Sequence, residues 1–187
     1  MGEVFEIDAS RRTTAANAYV TGLGHTKRVV LYDTLLENFS RDELRLVVAH
    51  ELGHVHHDDV PKGLLYLAIV APFGMLAVSR LTYRLAPAHA APGPALLPAL
   101  ALSITIMTTT ITTISNQLSR AVEARADTFS LEATGQSEAF ISFERRITLR
   151  NLSDPDPPDW LTFLLSTHPP AIERIGMGVA YEQAQEP

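Results

Sequence analysis

The chain has 187 residues, a formal net charge of −6 and no cysteine. That length suffices for a single domain, residues 1–187, with a real core. Lacking cysteine, it has neither a disulfide framework nor a thiolate metal site, and its 15 Lys and Arg form no run that would mark a nucleic-acid binder.

Met1 to Ser10 holds Glu3, Glu6 and Asp8 and no apolar run, so no signal peptide is expected. Val4 to Asp8 alternates in polarity and reads as a strand, as do Asn17 to Thr21, stopped by Gly22 and Gly24, and Arg28 to Tyr32. Three short strands with short links predict a small antiparallel sheet. Asp33 and Thr34 open a helical turn through Leu36. Ser40 and Glu43 then form a capping box, and Leu44, Val47, Val48, Leu52 and Val55 recur at helical spacing. This predicts a helix from about Arg41 to Asp58, ending before Pro61.

That helix carries His50-Glu51-Leu52-Gly53-His54. Residues four apart share a helix face, so His50 and His54 can bind one metal ion. Glu51, next to the first ligand, can reach a water there. This is the H-E-x-x-H arrangement of zinc hydrolases. With no cysteine, a zinc must be held by His and carboxylate, which suits a catalytic ion.

Gly63 to Ser79 contains no Asp, Glu, Lys or Arg, and Ala95 to Ile114 is a second apolar run. Pro87, Pro92, Pro94 and Pro98 mark the loop region between them. Residues 63–114 thus predict a transmembrane hairpin inserted between two halves of the site, and a lipid bilayer as partner. The second run carries six threonines, which can bond back to helix carbonyls. Arg45, Lys62, Arg120 and Arg125 outnumber Arg80 and Arg84, which places the catalytic side in the cytoplasm.

No Pro or Gly interrupts Ala99 to Thr134, and Gly135 is a C-terminal stop. One long helix would therefore leave the bilayer and carry Glu123 and Asp127 on one face. Glu123 is the best third metal ligand, and Asp127 can accept the free N–H of a ligand imidazole. Ser137 can cap the next helix, through about Leu149. A Pro-rich loop follows from Asp154, then a helix from Trp160 to Leu165. Ala171 to Gly176 begins a last turn bearing Arg174. The fold class is α+β, a small sheet beside a mostly helical body.

The chain resembles the membrane zinc peptidases that include the type I CAAX prenyl proteases and the HtpX-type proteases. The resemblance rests on Asn17-Ala18-Tyr19, on Val30 to Leu36, on His50 to His54, and on Ser119-Arg120 with Glu123, Ala126 and Asp127. A further block, Asn151-Leu152-Ser153 with Ser166 to Pro170 and Glu173 to Ile175, is closest to the CAAX prenyl proteases. It implies a zincin-like metalloendopeptidase fold and activity on peptide or protein substrates. It further implies Zn2+ on His50, His54 and Glu123, with Glu51 as general base. Asn17 and Ala18, with Tyr19 beside them, would lie on the edge strand that pairs with substrate. His168 and Arg174 would steady the oxyanion. His25, His56, His57 and His89 match no family position and read as surface residues.

Family members carry further transmembrane helices before the first strand, whereas here that strand begins near Met1. A fragment or a minimal version is the expectation. Two other functions stay open: a catalytically silent membrane scaffold that binds partners through the same groove, and a soluble zinc hydrolase whose apolar runs are core helices.

Overall fold

The computed structural model describes residues 4–86 and 93–185. Pro87, His89 and Pro92 lie outside them, and so does the side chain of His25. The strands are β1 (Val4–Ile7), β2 (Ala18–Thr21) and β3 (Arg28–Tyr32), in the order β1-β3-β2. The sheet is mixed rather than antiparallel: β2 runs antiparallel to β3, but β1 runs parallel to it. Asp33 accounts for the difference. It directly follows β3, and its Oδ1 accepts the N–H groups of Ala9 and Ser10, just beyond β1, at 2.9 and 3.0 Å. The two strands are thereby fixed to finish at the same end.

Helix α1 (Asp33–Asn38) leads to α2 (Arg41–His56). The capping box forms as read: Glu43 N–H donates to Ser40 Oγ at 3.3 Å, and Ser40 N–H donates to the Glu43 carboxylate at 2.7 Å. That carboxylate also accepts from Ser142 (3.0 Å) and Arg146 (2.6 Å). The capping residue thus ties α2 to α5 (Ser137–Arg150). One apolar core joins Ala16, Val29, Leu31, Leu35, Phe39, Val47 and Phe143, and a second joins Leu46, Leu131 and Phe140. α2 lies between the sheet on one side and a long helix, α4 (Leu97–Thr134), on the other.

α2 ends at His56, two residues earlier than expected. Asp58 takes a left-handed conformation (φ 53°), and α3 (Asp59–Leu85) starts at once. Pro61 does not end a helix here. It sits in the first turn of α3, where the N–H groups have no intrahelical partner and a missing one costs nothing.

α4 spans Leu97–Thr134 and stops at Gly135, whose φ of 65° is left-handed as a helix stop requires. Only Gly135 and Gln136 separate α4 from α5. Gln136 is the N-cap and Ser137 is the first helical residue, so Ser137 does not cap. α6 (Asp159–Leu165) follows the Pro-rich loop. α7 (Ala171–Gln185) runs on well past the turn at its start, and Gly178 lets it lie close against Phe140 and Ile141 of α5.

α3 and α4 are long and apolar enough to cross a membrane. They pack on each other, and Tyr66 Oη meets Ser115 Oγ at 3.0 Å. Their outward side chains, among them Leu65, Phe73, Met75, Leu97 and Leu102, stay exposed. Such a surface suits lipid and not water. Thr105 and Thr110 bond back to the carbonyls of Ala101 and Ile106, as expected for a helix in an apolar medium.

Glu43 is buried and holds a cap and a helix–helix tie together. Glu43→Ala should lower stability by roughly 2–3 kcal/mol, the range for losing hydrogen bonds to a charged group. Chemical denaturation against the parent protein reads this.

Candidate active site

The site forms where α2 packs on α4, and the approach depends on Gly53. A Cβ there would lie 3.3 Å from Ala126 Cα and 3.2 Å from the Phe129 ring. With only a hydrogen at Gly53 the two backbones close up. His50 and His54, on the same face of α2, then meet Glu123 and Asp127 on the facing turns of α4.

The ligand-type atoms converge. His50 Nε2 lies 3.2 Å from His54 Nε2 and 3.3 Å from Glu123 Oε2, and His54 Nε2 lies 3.7 Å from Glu123 Oε1. Around a tetrahedral ion with bonds of ~2.0–2.1 Å, ligand atoms sit about 3.3 Å apart. The three residues therefore have the spacing of one coordination sphere. Among the described residues they are the only such group.

The hydrogen bonds point to an ion as well. His50 Nδ1 is 2.8 Å from Asp127 Oδ1, and His54 Nδ1 is 3.0 Å from Asp59 Oδ2. Each Nδ1–H donates to its carboxylate, which leaves each Nε2 with a lone pair. Two lone pairs facing at 3.2 Å repel unless a proton or cation lies between them. Glu123 Oε2, moreover, is buried without a hydrogen-bond partner. The donor set fits a metal.

Asp59 was not legible as a site residue. It sits five residues past His54, across the α2–α3 break, so helical periodicity never pairs the two. Arg125 of α4 bonds the same carboxylate. Each imidazole is thus backed by an Asp and then an Arg: His54, Asp59 and Arg125 on one side, His50, Asp127 and Arg174 on the other.

Arg174 is fully engaged in this second chain. Its Nε donates to Asp127 Oδ2 at 2.7 Å, another nitrogen bonds Asp127 Oδ1, and a third lies 3.0 Å from Glu144 Oε2. In this arrangement the guanidinium holds Asp127, and it also lines the cavity that Asn17, His50, Glu51, Glu123 and His168 share. Burial pushes the pKa of Glu144 up to about 7 against the pull of Arg174. Burial alone would lower the pKa of His50, but the neighbouring Asp127 and Glu123 carboxylates outweigh it and raise it to about 9, the same pull that a cation in the proton's place would feel. Burial also raises the pKa of Glu51, opposed by His50 and His54. His168 approaches from the other wall, its Nε2 3.3 Å from Glu123 Oε2, and its ring is largely exposed.

A cleft of about 420 Å³ joins these groups, lined by Asn17 and by Ala18, Tyr19 and Val20 of β2 together with His50, Glu51, His54, Glu123 and His168. β2 is an edge strand. The Asn17 carbonyl accepts from Tyr32 N–H at 3.1 Å. In an antiparallel ladder alternate residues bond across, so Ala18 and Val20 turn their backbone groups to the open edge. Ala18 N–H is held by the Asn17 side chain at 2.9 Å. Asn17 is itself exposed, as is Tyr19. His56 is exposed and His57 half-buried; both pack on Phe129, away from the three ligand-type groups.

Asp59→Ala should leave the fold intact and weaken metal binding about 10- to 100-fold, the usual cost of losing a carboxylate behind a ligand imidazole. Competition with a metal-sensitive dye reads the affinity directly.

Residues 1–177 match the family model described as Peptidase family M48. The metalloprotease YhfN of Bacillus subtilis is 33% identical over 190 residues, covering 98% of this chain and 45% of its own. A CAAX prenyl protease 1 homolog of Oryza sativa subsp. japonica is 30% identical over 179 residues, covering 92% of this chain and 42% of its own. The chain thus spans less than half the length of these curated relatives. The crystal structure of S. mikatae Ste24p matches the fold with a TM-score of 0.76 at 23% identity, over 94% of this chain and 45% of that one. The extent of the family match, residues 1–177, together with the relative at 33% identity, shows that the chain belongs to peptidase family M48.

Proposed function

We propose that the chain is a zinc-dependent, membrane-associated endopeptidase acting on peptide or protein substrates. The observation that carries the reading is the convergence of His50, His54 and Glu123, with ligand atoms all within 4.8 Å of one another, beside the buried Glu51. Two imidazoles and a carboxylate without thiolate are the donor set of a catalytic zinc with an open position. Zinc held there would supply a Lewis acid that lowers the pKa of water to about 7 and polarises a scissile carbonyl.

The chain's own residues do the rest. Glu51 takes the proton from the attacking water and passes it to the leaving amine. Substrate lies extended along the open edge of β2 and bonds the outward backbone groups of Ala18 and Val20. To do so it replaces the Asn17 side chain on Ala18 N–H. Tyr19 lies on the same strand, beside the bound segment. His168, with its ring in the cleft, steadies the charge that develops on the carbonyl oxygen. Asp127 and Asp59 fix the orientation of His50 and His54. Arg174 contributes through Asp127.

The apolar helices support insertion of residues 63–79 and 95–114 into a bilayer as a hairpin. Arg45, Lys62, Arg120 and Arg125 lie on the catalytic side, which the charge bias makes the cytoplasmic one.

Glu51→Gln should fold and keep its zinc, since glutamine retains shape and hydrogen bonding. It cannot accept the proton, so peptide cleavage should fall by roughly a hundred- to ten-thousandfold. His54→Ala should instead lose the metal. Zinc content and cleavage rate, measured on both variants, separate the two roles, and near-normal cleavage by Glu51→Gln would end the proposal.

His168→Ala should keep its zinc and lose about a hundredfold or more in turnover, the usual cost of one oxyanion donor. Zinc lost in step with rate would make His168 a ligand instead.

A further inference from the structure

α6 has seven residues, and much of its surface is apolar and uncovered. Trp160, Phe163 and Leu165 are 65%, 52% and 67% exposed. Its seat in the fold is specific. Asn116 donates to the Leu164 carbonyl (2.8 Å), Gln117 to that of Phe163 (2.8 Å), and Arg120 to those of Thr162 (2.9 Å) and Ser166 (2.7 Å). These three side chains stand on α4 just past Ile114, where its apolar run ends.

Depth follows from helix geometry. At 1.5 Å per residue, residues 116 to 120 lie about 3–9 Å beyond Ile114 along the α4 axis. The headgroup layer on either side of a ~30 Å hydrocarbon core is roughly 5–8 Å deep. A hairpin that places Ile114 at the edge of the hydrocarbon therefore holds α6 at headgroup level. Ile114 and Leu118, on α4 at the same level, are exposed apolar residues as well. Tryptophan is favoured at that level, because its ring is apolar while its N–H prefers water.

We propose that α6 is an interfacial element whose Trp160, Phe163 and Leu165 insert into the headgroup zone of the bilayer that α3 and α4 cross. The segment carrying His168, which begins right after α6, is then seated on the membrane surface. This rests on the membrane reading above and adds a third point of contact to it.

Trp160 is the chain's one tryptophan, so its fluorescence reports on this surface alone. The full chain is reconstituted into phosphatidylcholine vesicles containing brominated lipids, labelled either near the headgroup or near the acyl terminus. The expected result is emission blue-shifted from free tryptophan and lost more to the headgroup-side label than to the terminal one. Quenching by aqueous iodide with no loss to either lipid label would overturn the proposal, since the patch then faces water. A blue shift insensitive to lipid labels and iodide would also overturn it, since protein then covers the patch. A second variant, Trp160→Phe with Leu102→Trp, puts the reporter in the middle of the α4 apolar run. Quenching there by the terminal label, without lipid quenching of Trp160, would sink the α6 proposal alone. No lipid quenching at either position would take the membrane reading down with it.

Discussion

The site depends on how closely α2 approaches α4 at Gly53. His50 and His54 come from one helix, and Glu123 and Asp127 from another 69 or more residues later in the chain. Only the distance between the two helices decides whether they form one coordination sphere or two unrelated patches. A side chain at Gly53 would meet the backbone of Ala126, which cannot rotate aside as a side-chain tip can. The cores on either side of α2 press it into that position: Val47 belongs to one, and Leu46 to the other.

Charges so deeply placed persist only when paired. Asp127 is completely buried, and it is satisfied by His50 and Arg174 together. Arg174 is in turn shared with Glu144. The His54 side is more open, because Arg125 is partly exposed. Both imidazoles nonetheless have Nδ1 committed to a carboxylate and Nε2 turned inward, so the pair is organised for a cation before one binds. Asp59 is also the first residue of α3. The group behind the His54 imidazole therefore stands at the base of the two long apolar helices.

Local signals in the sequence were read most reliably. The four-residue spacing of the two histidines, the Ser40–Glu43 box and the stop at Gly135 are each decided within a turn or two of chain, and each is present. Glu123 and Asp127 share one face of a long helix as their spacing predicts, since such a face survives any tertiary arrangement. What was missed depends on how separate segments meet. The parallel β1 is set by Asp33 binding Ala9 and Ser10. Gln136 is the cap instead of Ser137, because Gly135 leaves only one residue to the next helix. Asp59 is hidden by a helix break that periodicity read straight through. For Arg174 the residue was found, but not its partners, Asp127 and Glu144, which come from two other helices.

The central claim is that His50, His54 and Glu123 form one zinc site. X-ray absorption at the zinc edge on the purified chain, together with elemental analysis, tests it most directly. The account expects one zinc per chain with nitrogen and oxygen neighbours at about 2.0–2.1 Å, imidazole scattering from two rings and no sulfur. A chain that holds no metal after purification and zinc reconstitution, or a bound zinc showing fewer than two imidazoles, would contradict it.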